Sequence, residues 1–245
     1  MSGGVVRRTC ILDVVREVEE QRLALHLRLL LGACPDTYLQ FAYELARAAN
    51  WPREIALARA AAMAFRHVAI ELADDVCDGD CPDPLDPLAD APVLLLVLEQ
   101  LALAAALRGG VSPTALARVA HLNLQIASGQ YQDLYTRSWT RTLALQAALR
   151  LNGDQFTAHL HLIWDGSRLE DLAEDIGRDL GLSLHVLSDR VAADRRFAGV
   201  PAAGRSDLVA LARGAAERLA QCPIACIRHV GDAARSGLSV GARNR

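Results

Sequence analysis

Apolar residues recur at spacings of three and four along almost the whole chain, and period-two alternation of β-branched residues is scarce. The pattern predicts helices over 11–31, 36–49, 52–78, 92–108, 113–135, 141–152, 155–164, 168–195 (with a break near Gly177 or Gly181), 206–220 and 222–234. Breakers fall between them, at Ala33-Cys34-Pro35, Asn50-Trp51-Pro52, 81–87, Gly109-Gly110, Asn152-Gly153 and 199–204. Pro52 and Pro113 sit where a first-turn proline is favoured. Adjacent helices with short loops predict an all-α bundle. The expected layout is a single domain over 1–236 and a flexible tail over 237–245. No repeat of solenoid period is present.

The composition supports a packed interior. Hydrophobic residues make up 52 % of the 245, and aromatics only 4 %, so the core is expected to be Leu, Ala, Val and Ile. Net charge is −3, with no lysine and no basic stripe, which argues against nucleic acid as a partner. Cys10, Cys34, Cys77, Cys81, Cys222 and Cys226 in a long Leu/Ala-rich chain are expected to be reduced thiols of a cytoplasmic protein. The most apolar run, 91–107, is interrupted by Glu99 and Gln100, so no transmembrane segment is expected.

The stretch His67–Asp80, HVAIELADDVCDGD, carries the candidate chemistry. Asp74 and Asp78 are four apart and share a helix face, with Asp75 one step round and His67 and Glu71 on the Asp74 side. Acids at a helix C-terminus oppose the macrodipole, and like charges four apart repel. A divalent cation reverses both effects. Oxygen ligands of this kind suit Mg²⁺, which takes one or two carboxylates plus substrate phosphates.

This stretch resembles the first aspartate-rich motif of the trans-isoprenyl diphosphate synthase (polyprenyl synthetase) family, with His67, Asp74, Asp75 and Asp78 on the motif. Three further stretches match in the same order. Residues 129–134, GQYQDL, resemble the family's GQxxDL helix; Arg141-Thr142 stands where the family carries Lys-Thr; and 177–189, GRDLGLSLHVLSD, follows the pattern that opens the second aspartate-rich helix. The resemblance implies an isoprenoid-synthase-type bundle around a central cavity, in which Mg²⁺ grips the diphosphate of an allylic prenyl substrate. It makes Asp74, Asp75, Asp78, Asp133 and Asp189 the metal residues and assigns the diphosphate to Arg141 and His67. Gln130 and Thr142 turn oxygen dipoles toward the carbocation, and Ala69 and Ile70 line the chain pocket. Glu71 stands where the family has an apolar or small residue; facing the cavity, its carboxylate would stabilise the cation or take a proton. For Glu71 the alternative is a pair with an arginine of a neighbouring helix. A second copy of the chain is an admissible partner.

The chain departs from the family in two places. Its second motif reads Ser188-Asp189-Arg190-Val191-Ala192, with one acid on a motif position, Asp194 five residues on, and Arg190 placed to neutralise the site. The basic pocket for isopentenyl diphosphate is replaced by Gly32, Ala33, Cys34, Asp83 and Asp86, with Arg28 and Arg66 near but off the motif. Three activities are compatible: prenyl transfer to an acceptor other than isopentenyl diphosphate, terpene cyclisation, and a non-catalytic subunit that shapes a partner's product. Scarce aromatics weigh against cyclisation, because ring faces commonly stabilise cations.

Overall fold

The computed structural model describes residues 20–192 and 194–240, and every regular element among them is helical. The backbone divides into two compact units, Met1–Ser112 and Pro113–Arg245. Cys10 and the first part of the helix expected over 11–31 lie outside the described residues. Cys34, Cys77, Cys81, Cys222 and Cys226 form no disulfide.

The first unit contains α1 (Gln21–Ala33), α2 (Asp36–Ala48), α3 (Arg53–Asp78) and α4 (Asp90–Arg108). The Glu20 side chain caps α1 by accepting from the backbone N–H groups of Arg22 and Leu23. α3 is the longest element and packs against α2 and α4. Its inner stripe is Ala-rich, with Ala56, Ala60, Met63, Ala64, Phe65, Val68, Ala69 and Leu72 all buried. It stops at Gly79, whose φ of 80° supplies the left-handed C-cap. Arg59, buried within α3, donates from Nε to the Gly109 carbonyl at 2.8 Å and lies 4.2 Å over the Trp51 ring. The guanidinium thereby meets the negative end of α4.

By length and composition α4 is apolar enough to cross a bilayer, a test that a core helix also passes. It is one strongly apolar helix with two faces. Ala91, Leu94, Leu98, Ala102, Ala105 and Ala106 are buried, while Val93, Leu96, Leu103 and Leu107 are exposed.

The second unit contains α5 (Pro113–Tyr135), α6 (Arg141–Ala148), a π-helical turn (Leu149–Gly153), α7 (Asp154–Trp164), a 3₁₀ turn (Glu170–Leu172), α8 (Ala173–Ala192), α9 (Arg195–Gly199), α10 (Ala202–Ala220) and α11 (Ala225–Val240). α8 is the hub and packs on α7, α10, α11 and the π turn. Gly177 and Gly181 fall inside α8 and do not break it. They are contact points, since a Cβ at Gly177 would stand 2.4 Å from Thr157 Oγ1, and one at Gly181 2.1 Å from the Gly153 nitrogen. The break expected at Asn152-Gly153 is likewise absent. The chain widens there into the π turn and runs on into α7. Residues 237–240, expected in a flexible tail, continue α11 as helix with Leu238 buried in the core beside Val186 and Ala212.

The glycine contacts predict an asymmetric pair of variants. Gly181→Ala forces backbone apart and should cost at least about 2–3 kcal/mol in urea unfolding. Gly32→Ala meets nothing within 4 Å inside α1 and should be neutral or stabilising by up to about 1 kcal/mol. Equal effects of the two would show that helix contact at Gly181 is not what holds α8 in place.

Candidate functional site

The end of α3 gathers Asp74, Asp75 and Asp78 at the negative pole of the helix. No basic residue lies in the last turn of α3, and among the described residues no ion pair reaches Asp75 or Asp78. Asp74 and Asp78 are exposed and Asp75 is half-buried. Burial, with the Asp80 and Asp78 carboxylates, pushes the Asp75 carboxyl above its ordinary value. Mutually repelling hard oxygens four apart, at a negative helix end, suit Mg²⁺ completed by phosphate and water ligands. No three His, Cys, Asp or Glu side chains among the described residues gather closely enough to enclose a metal by themselves.

One and two turns earlier stand Glu71 and His67. His67 stacks on Tyr38 of α2, with centroids 3.9 Å apart, and its Nδ1 lies 3.6 Å from Glu71 Oε1. The partner at Glu71 is thus a neutral imidazole of its own helix, and among the described residues no arginine pairs with it. Burial lowers the His67 pKa to about 4. Crowding by the fold, then Asp74 and Asp75, raises the Glu71 pKa to about 7. The Glu71 side chain keeps 59 % of its surface, so water screens part of that push. Ala69 is buried and Ile70 half-buried on the same helix.

The loop after α3 explains its acids. Asp86 Oδ1 accepts from the N–H groups of Leu88 (2.8 Å) and Ala89 (3.0 Å), while Asp90 Oδ2 accepts from Asp86 N–H (3.0 Å) and from Arg22 Nη2 (2.9 Å). These carboxylates build the turn into α4, as in a reciprocal cap. Arg66 is 2 % exposed, with its pKa lowered to about 10 by burial, so it is a core cation and no surface anion contact. Arg28 is exposed on α1.

In the second unit the expected residues separate into two groups. Gln130 is half-buried on α5; Arg141 and Thr142 are exposed at the start of α6, and Arg141 Nε lies 3.4 Å from Asp207 Oδ2 of α10. Asp133 and Asp189 are instead buried, at 4 % and 7 % exposure, and drawn into one ion network. Arg196 Nη1 lies 3.5 Å from Asp133 Oδ2, Nη2 3.3 Å from Asp189 Oδ1, and Nε 3.0 Å from Asp194 Oδ1. Arg195 Nη2 adds a contact to Asp133 Oδ2 at 3.1 Å. Burial opposes the Arg196 charge, but Asp189, Asp133 and Asp194 outweigh it and hold the guanidinium above its ordinary range. Asp194 also caps α9 by accepting from the Arg196 N–H at 2.8 Å. His185 bonds Asn152 through Nδ1 and stands 3.3 Å from Asp189 Oδ2 through Nε2, off hydrogen-bond alignment.

Arg190, expected to neutralise this cluster, turns away and donates to the Leu238 carbonyl of α11 at 2.8 Å. The residues missed were Arg195 and Arg196. Their signal was present: Asp194-Arg195-Arg196 is a helix cap that carries two cations, directly after the degenerate motif.

The pair at the middle of α3 predicts acid sensitivity. His67 is neutral in the folded state down to about pH 4 and titrates near 6.5 when unfolded, so the unfolded chain binds more protons between those values. Its contribution is complete above pH 6.5 and is lost as pH falls toward 4, up to about 3 kcal/mol. Glu71 acts oppositely: its raised folded pKa stabilises below pH 4.5 and that gain is lost as pH rises through 7. His67→Phe keeps the stack on Tyr38 and should flatten the fall in stability between pH 6.5 and 4, whereas Glu71→Gln should steepen it. Unfolding midpoints across pH 4–7 measure both, and an unchanged slope in His67→Phe would remove His67 from the account.

No family model matches the chain, and no curated protein matches it. Solved structures do. A geranyltranstransferase from Methanosarcina mazei aligns at TM-score 0.66 and 15 % identity over 97 % of this chain and 96 % of its own. A geranylgeranyl pyrophosphate synthetase from Geoglobus acetivorans aligns at 0.70 and 14 % over 95 % and 98 %, and an FPP/GFPP synthase from Zymomonas mobilis at 0.70 and 18 % over 94 % and 95 %. The chain has the all-α isoprenoid-synthase fold that these proteins share.

Proposed function

We propose that the protein is a Mg²⁺-dependent enzyme of isoprenoid chemistry that ionises an allylic prenyl diphosphate and transfers the prenyl group to an acceptor other than isopentenyl diphosphate. The observation that carries this reading is the acidic end of α3, which lies on the expected motif, carries no basic residue in its last turn, and raises the pKa of its own Asp75. Bound there, Mg²⁺ supplies the charge that stabilises a departing diphosphate. Asp74 and Asp78 would hold it and Asp75 would support them. Gln130 and Thr142 offer oxygen dipoles to an electron-poor carbon. Glu71, with a carboxyl that titrates near neutrality, is suited to accept or return a proton close to that charge. The chain length and the acceptor would be set by the lining around Ala69 and Ile70. A second reading, a non-catalytic subunit, is favoured by one observation: the second acidic cluster already holds arginines.

The experiment is incubation with Mg²⁺ and ten-, fifteen- and twenty-carbon allylic diphosphates, with and without isopentenyl diphosphate, followed by analysis of products and released diphosphate. Release of diphosphate that falls at least about 100-fold in Asp74→Asn and Asp78→Asn, with helicity preserved, is the expected result. Hydrocarbon as the sole organic product reassigns the protein to cyclisation. Silence with every substrate favours the subunit.

Calorimetric titration separates the two diphosphates. The turn-forming Asp86 and the buried Arg66 leave the expected second pocket without surface cations from those positions. Loss of three or more charge-assisted contacts should weaken isopentenyl diphosphate by at least about a thousandfold relative to an allylic diphosphate with Mg²⁺. Micromolar affinity for isopentenyl diphosphate would return the protein to ordinary chain elongation.

A further inference from the structure

We propose that Arg196 is a built-in cation for the Asp133–Asp189 pair and takes the place that the resemblance gives to a divalent ion. The pair is assembled within one unit from three elements: Asp133 near the end of α5, Asp189 near the end of α8, and Arg196 in the first turn of α9. One planar guanidinium reaches both carboxylates through different nitrogens and a third, Asp194, through Nε. A fork is suited to such bridging, whereas an ammonium is a point donor. Arg195 doubles the positive charge at Asp133 by binding both its Oδ2 and its backbone carbonyl.

A dication does not fit this arrangement. Three carboxylates face two arginines, so the cluster carries one net negative charge before any metal arrives. Asp133 Oδ1 has no hydrogen-bond partner, yet an ion bound there would stand beside two guanidiniums. Coulomb repulsion at such separations exceeds what one carboxylate oxygen returns. The arginines are also fixed from the other side. Asp194 closes α8 through its N–H to the Asp189 carbonyl at 2.8 Å and starts α9 with its side chain, so Arg196 projects from a short, doubly anchored turn.

The consequence is a protein with one hard-cation region, the end of α3, and a second acidic cluster closed to metal. This holds whether or not the end of α3 binds Mg²⁺, and the test removes that region first. Mn²⁺ serves as the probe, its binding read by electron paramagnetic resonance in full-length protein that carries Asp74→Asn and Asp78→Asn. With Arg196 intact, no saturable Mn²⁺ binding is expected. Arg196→Gln in the same background should gain a site with affinity raised at least about tenfold, because a charge in contact with both carboxylates is gone. Arg196→Lys, which keeps the charge, should gain none. Addition of Mn²⁺ should raise the melting temperature of the Gln variant alone. Where Arg196→Gln does not fold, Asp133→Asn and Asp189→Asn in the otherwise wild-type chain decide: unchanged Mn²⁺ stoichiometry is expected. Mn²⁺ binding that needs Asp189 while Arg196 is present overturns the proposal. So does a folded Arg196→Gln variant that gains no site.

Discussion

A carboxylate crowded by other carboxylates on a low-dielectric helical scaffold needs a positive charge, and much of this protein's chemistry follows from where that charge comes from. The chain contains two acidic clusters on long buried helices and no lysine. At Asp133 and Asp189 the cation is covalent to the chain: Arg196 bridges both, and Arg195 supports it. At the end of α3 no described side chain does this for Asp75 or Asp78. Burial, then the neighbouring Asp80 and Asp78, raises the Asp75 carboxyl, and the acids sit at the wrong pole of a helix dipole. One cluster is satisfied from within; for the other, the proposed function calls on an external ion.

The same logic explains the acidic loop that follows α3. A basic pocket in that loop would need arginines on a flexible turn. Here Asp86 and Asp90 are used to form the turn itself, each accepting backbone N–H groups of the other's neighbourhood. Once those positions carry caps for α4, the loop cannot also present cations to a second diphosphate. Arg66, the nearest arginine on α3, is packed into the core, where its guanidinium is already weakened by burial. The departure from the family pattern is therefore a change of local structure as well as of charge.

Helix content was legible because the 3.6-residue period is strong where Ala and Leu dominate. The ends of α3, α5 and α7 were read to within a residue or so, each marked by proline, glycine or a run of polar residues. The glycines misled. Gly153, Gly177 and Gly181 read locally as breakers, but the lack of a Cβ at Gly177 and Gly181 serves close packing of α8 on α7 and the π turn, which no local window can reveal. The five-residue α9 was missed because it is too short to show a period, and with it went the two arginines that matter most to Asp133 and Asp189. Spacing located the acids correctly on their helices. It did not predict their partners, because Asp133 and Arg196 lie 63 positions apart by their numbers and meet only through tertiary packing.

Charge placement also bears on what reaction the fold is equipped for. Joining two diphosphates requires cations for both, and their combined charge cannot be held by a few neutral dipoles. The proposed function calls on recognition of one highly charged group only, in keeping with a second acidic cluster already paired with arginines and acids used in the turn after α3. Gln130 and Thr142 are neutral, and Glu71 has a pKa raised to about 7. Groups of that kind orient and exchange protons with an electron-poor carbon; they do not compete for a diphosphate. Under the proposed function, a neutral or weakly charged acceptor, or the substrate's own double bonds, would be the co-reactant that such an electrostatic layout accommodates.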